Sequence, residues 1–115
     1  MRRGDIHLVD FEPGRGSEAN KRRPAVIVSN DHANGTVTRL GRGVVTVVPV
    51  TTNVNRVYSF QVLLPRTSTG LKRDSKAQAE QIRSVTVERI GAALGHVPQS
   101  LLAQLDEALR LHLAL

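Results

Sequence analysis

A chain of 115 residues is long enough for one hydrophobic core and too short for two. Hydrophobic residues at 40% and charged residues at 23% fit a folded soluble domain, and no apolar run nears the roughly 20 residues that span a bilayer. The absence of cysteine excludes disulfides and thiolate metal sites, while sixteen basic against ten acidic residues give a net charge of +6, the sign that attracts a polyanionic partner.

Thirteen of the sixteen cations are arginine, whose planar fork suits phosphate better than the point charge of lysine. Only Phe11, Tyr58 and Phe60 are aromatic, too few rings for a sheet that stacks several bases. A nucleic acid bound here would be held mainly by phosphate contacts and hydrogen bonds. The N-terminus has Arg2 and Arg3 but no apolar stretch of signal-peptide length, so a cytoplasmic location is expected.

Along the chain, DIHLVDF (Asp5–Phe11) reads as a strand closed by the Pro13-Gly14 turn signal. A second strand, PAVIVSN (Pro24–Asn30), begins directly after the cations Lys21, Arg22 and Arg23. Charge placed at a strand mouth rather than on a loop tip raises the question of what it is for. VVTVVPVT (Val44–Thr51) is a nearly continuous β-branched run, the pattern of a strand buried on both faces, with a bulge or an edge position expected at Pro49. YSFQVLL (Tyr58–Leu64) alternates with Tyr58, Phe60, Val62 and Leu64 on one face. Ser75–Val87 alternates weakly, and its VTV segment favours strand.

The tail is different. Leu102, Leu105, Leu109 and Leu113 recur at intervals of three and four, so one stripe of a helix is apolar. Pro98 suits its first turn, and Asp106 stands four residues before Arg110 as a supporting pair. Leu101 and Leu111 widen the apolar surface, as extra core or as a dimer contact. Five or six short strands and a terminal helix predict a mainly β protein with a small curled sheet or partly open barrel.

Several chemistries lack support. His7, His32, His96 and His112 show no ligand spacing for a metal, and paired carboxylates of the glycosidase kind are not evident. The glycines of GRGSEANKR and LGRGVV do not match a phosphate loop and read as turns, and no GxSxG supports a hydrolase triad. RNA, however, can be cut by its own 2′-OH if a protein removes that proton, stabilises the dianionic phosphorane and protonates the leaving oxygen. Glu18, Arg23 and Thr51 are the right kinds of group for those tasks, and Arg23 and Thr51 each fall at the end of a predicted strand. Spacing alone does not make the three converge.

Five segments in series carry a resemblance. Gly4-Asp5-Ile6, the loop Asp10 to Glu18 (DFEPGRGSE), Arg23 to Ile27 (RPAVI), Val48 to Thr52 (VPVTT) and Glu80 to Ser84 (EQIRS) occur in that order. Together they resemble the MazF/PemK/Kid toxins of toxin–antitoxin modules over nearly the whole chain. The resemblance implies a single domain over residues 1–115, an SH3-like barrel with a C-terminal helix, acting as a homodimer. It implies a metal-independent endoribonuclease, needing no cofactor, that cuts single-stranded RNA (mRNA, rRNA or tRNA) at short sequences and is neutralised by an acidic MazE-like antitoxin in a higher toxin–antitoxin complex.

By the same resemblance Arg23 would stabilise the phosphorane and could act as general acid, Thr51 would position the scissile phosphate, and Glu18 would be base or loop organiser. Ser17 would contact backbone phosphate, Lys21 and Arg22 would line the cleft, and Gln81 would lie at the RNA groove. The chain departs from the family at His7, where Trp or Tyr is frequent, so a stacking role does not carry over to that position. Two other readings stay open from sequence: a CcdB-like toxin that binds DNA gyrase and cuts nothing, and a basic RNA-binding module without activity.

Overall fold

The computed structural model describes residues Met1–Leu115. Seven strands form one antiparallel sheet: β1 (Asp5–Asp10), β2 (Arg22–Ile27), β3 (Val44–Thr51), β4 (Gln61–Leu64), β5 (Ser75–Gln78), β6 (Arg83–Thr86) and β7 (Ile90–His96). Helices α1 (Asp31–Leu40), α2 (Arg66–Thr69) and α3 (Gln99–Leu113) connect or close them. The order across the sheet is β4-β5-β3-β2-β1-β7, and β6 also pairs with β3. The fold is thus mainly β with a C-terminal helix, as the sequence predicts, with one strand more than the upper count expected.

Strand β3 is the spine. It pairs with β2 along one edge, and along the other with β6 through Val44–Val47 and with β5 through Val50 and Thr51. Its β-branched run is buried on both faces because each face has a core of its own. Val48 and Val50 join Ile6, Val26, Val62, Leu64 and the buried side of α3, whereas Val45 and Val47 join Val9, Phe11, Ala25, Ile27 and Val85. Pro49 pairs with Ala25 in β2 and stands where β3 has left β6 and not yet met β5. That local gap is the edge position expected of a residue with no N–H to give.

The strand favoured by the VTV segment is present in β6, and Ser75–Val87 as a whole holds two strands split by a 3₁₀ turn at Ala79–Gln81. The structure corrects three expectations. Only Gln61–Leu64 of the alternating Tyr58–Leu64 stretch is strand, since the Gln61 amide turns back to the Tyr58 carbonyl at 2.9 Å and leaves Tyr58 exposed. In α3 the buried stripe is Leu102, Leu105, Ala108 and Leu109, while Leu113 lies beyond the sheet and is 46% exposed. Arg110 pairs with Glu107 rather than Asp106, because the Asp106 carboxylate accepts from Arg3 Nη2 at 2.6 Å.

Three elements had no counterpart in the sequence reading: α1, the short α2 and β7. Helix α1 starts where the Asn30 side chain accepts from the Ala33 amide and stops at Gly41, whose φ of 68° suits a residue without a Cβ. Its one buried residue, Asn34, is bonded both ways to Ser29, so polar contacts fix the helix where apolar burial would usually do so. Strand β7 runs close enough to α2 that a Cβ at Gly95 would stand 2.2 Å from the Thr69 carbonyl oxygen, a gap only glycine can accept.

The N-terminus is tied down by Asp5, whose carboxylate accepts from the Arg2 amide at 2.8 Å and from His96 Nδ1 at 3.0 Å. Burial by itself raises this carboxyl's pKa. The Arg2 amide, the His96 hydrogen bond and the charges of His96 and His7 together outweigh it and hold the pKa below its ordinary 3.8. A depressed folded-state pKa means that ionised Asp5 stabilises the fold. That contribution is fully present above the unfolded value of about 3.9 and is lost as pH falls through the folded value. Melting temperatures of wild type and Asp5→Asn between pH 3 and pH 7 should therefore differ most above about pH 4 and converge below it. A gap that widens as pH falls below about 4 would contradict this account.

Candidate functional site

The hairpin β1–β2 carries the loop from Phe11 to Lys21. Its base is closed by the Phe11 amide donating to the Lys21 carbonyl at 2.9 Å, one step beyond the Asp10–Arg22 pair. Lys21 takes a left-handed φ of 64°, uncommon for a residue with a side chain, and its amide donates to Glu12 Oε1 at 2.5 Å. Gly14 lets the loop fold tightly on itself, for a Cβ there would meet Asn20 Cβ at 2.7 Å and the Ala19 carbonyl at 2.8 Å. Ala19 is buried in the smaller core.

The loop is clamped from outside by Gln81. Its Oε1 accepts from the Ala19 amide at 2.9 Å and its Nε2 donates to the Ser17 carbonyl at 2.8 Å. One side chain on the 3₁₀ turn thus holds two points of a loop more than sixty residues away. Asn20 in turn orients Arg23: Nε donates to the Asn20 carbonyl at 2.9 Å and Nη2 to the Asn20 Oδ1 at 3.1 Å. The half-buried guanidinium keeps other N–H groups free.

The register of the sheet brings Arg23 and Thr51 together. Ala25 pairs with Pro49, Val26 with Val48 and Ile27 with Val47, so just beyond the last pair Arg23 and Thr51 share a face of the sheet. Lys21, Arg22, Arg23, Pro24, Val50, Thr51, Thr52 and Ser75 line an open cleft of about 250 Å³ there. Three of these are cations and none is an acid, so the cleft presents an unopposed positive field. Thr51 Oγ1 accepts from the Asn53 amide at 3.3 Å, which leaves the hydroxyl proton to donate outward.

Of the residues singled out from sequence, Arg23, Thr51, Lys21 and Arg22 share this cleft. Ser17 and Glu18 do not line it. They are exposed on the same loop, where the Glu18 amide bonds to the Arg15 carbonyl at 3.0 Å. Gln81 also stands outside the lining, its amide engaged with the loop backbone. His7 lies on β1 with Nδ1 3.0 Å from the Gly91 carbonyl, away from the cleft. Sequence reasoning missed Asn20, Thr52 and Ser75. A short polar residue three before the arginine was the only trace of Asn20.

The family model described as PemK-like, MazF-like toxin of type II toxin-antitoxin system matches residues 2–113. The chain belongs to that family. It is 66% identical to the endoribonuclease MazF9 of Mycobacterium tuberculosis over all of this chain and 98% of that one. It is 29% identical to endoribonuclease EndoA of Bacillus subtilis, over all of this chain and 96% of the other. Among solved structures, MazF from Deinococcus radiodurans superposes with a TM-score of 0.82 at 28% identity, covering all of this chain and 97% of that one. A mycobacterial endoribonuclease solved with its cognate antitoxin has the same fold, with a TM-score of 0.78 at 23% identity, covering all of this chain and 96% of the other.

If Gln81 is the clamp on the loop, Gln81→Ala should free the Ala19 amide and leave a buried donor unsatisfied, at a cost of about 1–3 kcal/mol. Amide hydrogen exchange should speed up at Ala19 by at least about tenfold while β3 amides keep their protection. Unchanged exchange at Ala19 would show that the loop is held by other means.

Proposed function

We propose that this chain is the toxin of a toxin–antitoxin pair and a metal-independent endoribonuclease acting on single-stranded RNA, whether mRNA, rRNA or tRNA. The observation that carries this reading is that Arg23 and Thr51 line one cleft that holds three cations and no acid. A phosphodiester entering that cleft meets a guanidinium already oriented by Asn20 and a hydroxyl whose lone pair is already engaged by the Asn53 amide.

The reaction needs no external nucleophile. The 2′-OH of the RNA attacks the adjacent phosphorus as its proton leaves, and the 5′-oxygen departs with a proton, leaving a 2′,3′-cyclic phosphate and a 5′-OH. Negative charge accumulates on the equatorial oxygens of the phosphorane, where the free N–H groups of Arg23 oppose it. Arg23 is also the group assigned to protonate the leaving oxygen. Thr51 donates to a non-bridging oxygen and fixes the phosphate against the guanidinium. Glu18, exposed on the same loop but outside the cleft lining, is the base or the organiser of the loop, and Ser17 beside it serves the neighbouring phosphate. Lys21 and Arg22 extend the cation track along the backbone. Gln81 acts on RNA through the loop that it holds, at the rim of the groove.

The same positive loop from Gly16 to Arg23 is where an acidic, extended antitoxin segment would compete with RNA. Two copies of the domain, residues 1–115, form the working homodimer in the cytoplasm, and antitoxin binding builds a larger complex on it.

Arg23→Ala and Thr51→Ala should each lower cleavage of a long single-stranded RNA by about 10²-fold or more, the loss expected for one preorganised electrostatic donor. Both variants should melt close to wild type, since neither side chain belongs to either core. Wild-type cleavage should persist in excess EDTA and give 5′-hydroxyl ends. Near wild-type rates in both variants would refute the site, and 5′-phosphate ends would refute the mechanism.

A further inference from the structure

Lys76 is the one charged side chain among the buried residues, only 7% exposed, and it is paired with no carboxylate. Its register partner in β3 is Thr51. Directly paired residues of antiparallel strands project to the same face, so Thr51 and Lys76 share a face, and Arg23 lies with Thr51 along the same cleft. Burying an ammonium without an anion is costly, so its remaining contacts ought to explain its position.

Those contacts all lead to one segment. Lys76 Nζ donates to the Arg56 carbonyl at 2.6 Å and lies 5.7 Å from the centre of the Tyr58 ring. Tyr58 stacks on Phe60 with centroids 5.4 Å apart and carries the Arg56 guanidinium over its ring at 4.9 Å. The far end of the segment is held separately, by the Tyr58 amide donating to Gln61 Oε1 at 3.1 Å while Gln61 Nε2 donates to Glu80. Its near end is the Asn53 amide that bonds Thr51 Oγ1, followed by the Asn55 amide on Asn53 Oδ1. A continuous chain of contacts therefore runs from Lys76 through Arg56 and Asn53 to the Thr51 hydroxyl.

We propose that Lys76 is a positioning residue for RNA cleavage: it fastens the Thr52–Phe60 segment so that the Asn53 amide holds the Thr51 hydroxyl toward Arg23. The inference rests on the reading of Arg23 and Thr51 as the cleavage site. The ammonium does not touch the substrate. It acts by restricting the segment that bounds the cleft beside Thr51, and its burial beneath Tyr58 keeps water from competing for the Arg56 carbonyl.

The chain contains one tyrosine and no tryptophan, so intrinsic emission reports on Tyr58 alone. In Lys76→Met, which retains an apolar stem without the charge, acrylamide should quench Tyr58 more strongly. kcat on a single-stranded RNA should fall by about tenfold or more, with KM changed less than about threefold, as expected when orientation rather than binding is lost. Lys76→Arg should recover most of both signals. Tyr58→Leu, a change at an exposed ring, should reproduce the kcat-selective loss and provides the test should Lys76→Met fail to fold. Wild-type kcat in Lys76→Met or, failing that, in Tyr58→Leu would overturn the proposal. So would unchanged Tyr58 quenching together with a salt slope of RNA binding reduced by about 0.7, because that pattern marks a direct phosphate contact. Should the wild-type protein cut no RNA, the nuclease reading fails, while the quenching comparison still reports whether Lys76 holds the segment.

Discussion

The site depends on one constraint, the register in which β2 pairs with β3. Beyond the Ala25–Pro49 pair the two strands carry Arg23 and Thr51 along one cleft, and their parity keeps both on the face of the smaller core. A slip of one residue would turn Arg23 toward the face packed by α3 and separate it from the loop that orients it. The register is held by the two cores together. Val26 and Val48 must meet the helix side while Ala25, Ile27 and Val47 meet the loop side. The folding of the sheet and the assembly of the cleft are therefore the same event.

Around that frame, polar contacts do what apolar packing does elsewhere. The loop from Phe11 to Lys21 buries little beyond Phe11 and Ala19, and is fixed by Gln81, by Glu12 on the Lys21 amide and by its own base pair. Such bonds fix direction better than apolar contacts do, and direction is what a guanidinium needs to meet a developing charge. Asn20 holds Arg23 through two hydrogen bonds, so on the proposed reading little reorganisation is left to the reaction itself. The cluster of cations at the mouth of β2 follows from the same logic. Repulsion among Lys21, Arg22 and Arg23 is tolerated because the sheet and loop hold them, and on the proposed reading a phosphate chain would relieve it.

Much of this was legible in the sequence, for physical reasons that differ by element. The β-branched run of β3 and the leucine spacing of α3 are strong periodic signals, and both elements are where they were expected. Helix α1 was obscured by Gly35, Thr36, Val37 and Thr38, which are weak helix formers. Its caps, Asn30 and Gly41, were the visible trace. Strand β7 was obscured by its small residues, which are required by the close backbone approaches at Gly91 and Gly95. Arg23 and Thr51 could be named from strand ends and motif order, but their pairing had to await the register. Lys76 gave no signal at all, since a lysine in a short strand looks like a solvated one until its partners across the sheet are known. The helical pair Asp106–Arg110 failed because Arg3, remote in sequence, competes for the same carboxylate.

The central claim is that Arg23 and Thr51 act on one phosphate as a unit. Single-turnover cleavage by wild type, Arg23→Ala, Thr51→Ala and the double variant tests it most directly, because groups that act together lose their effects non-additively. The double variant should cleave no more than about tenfold slower than the slower single variant. Losses that multiply in full would show two independent contributions and contradict the shared site.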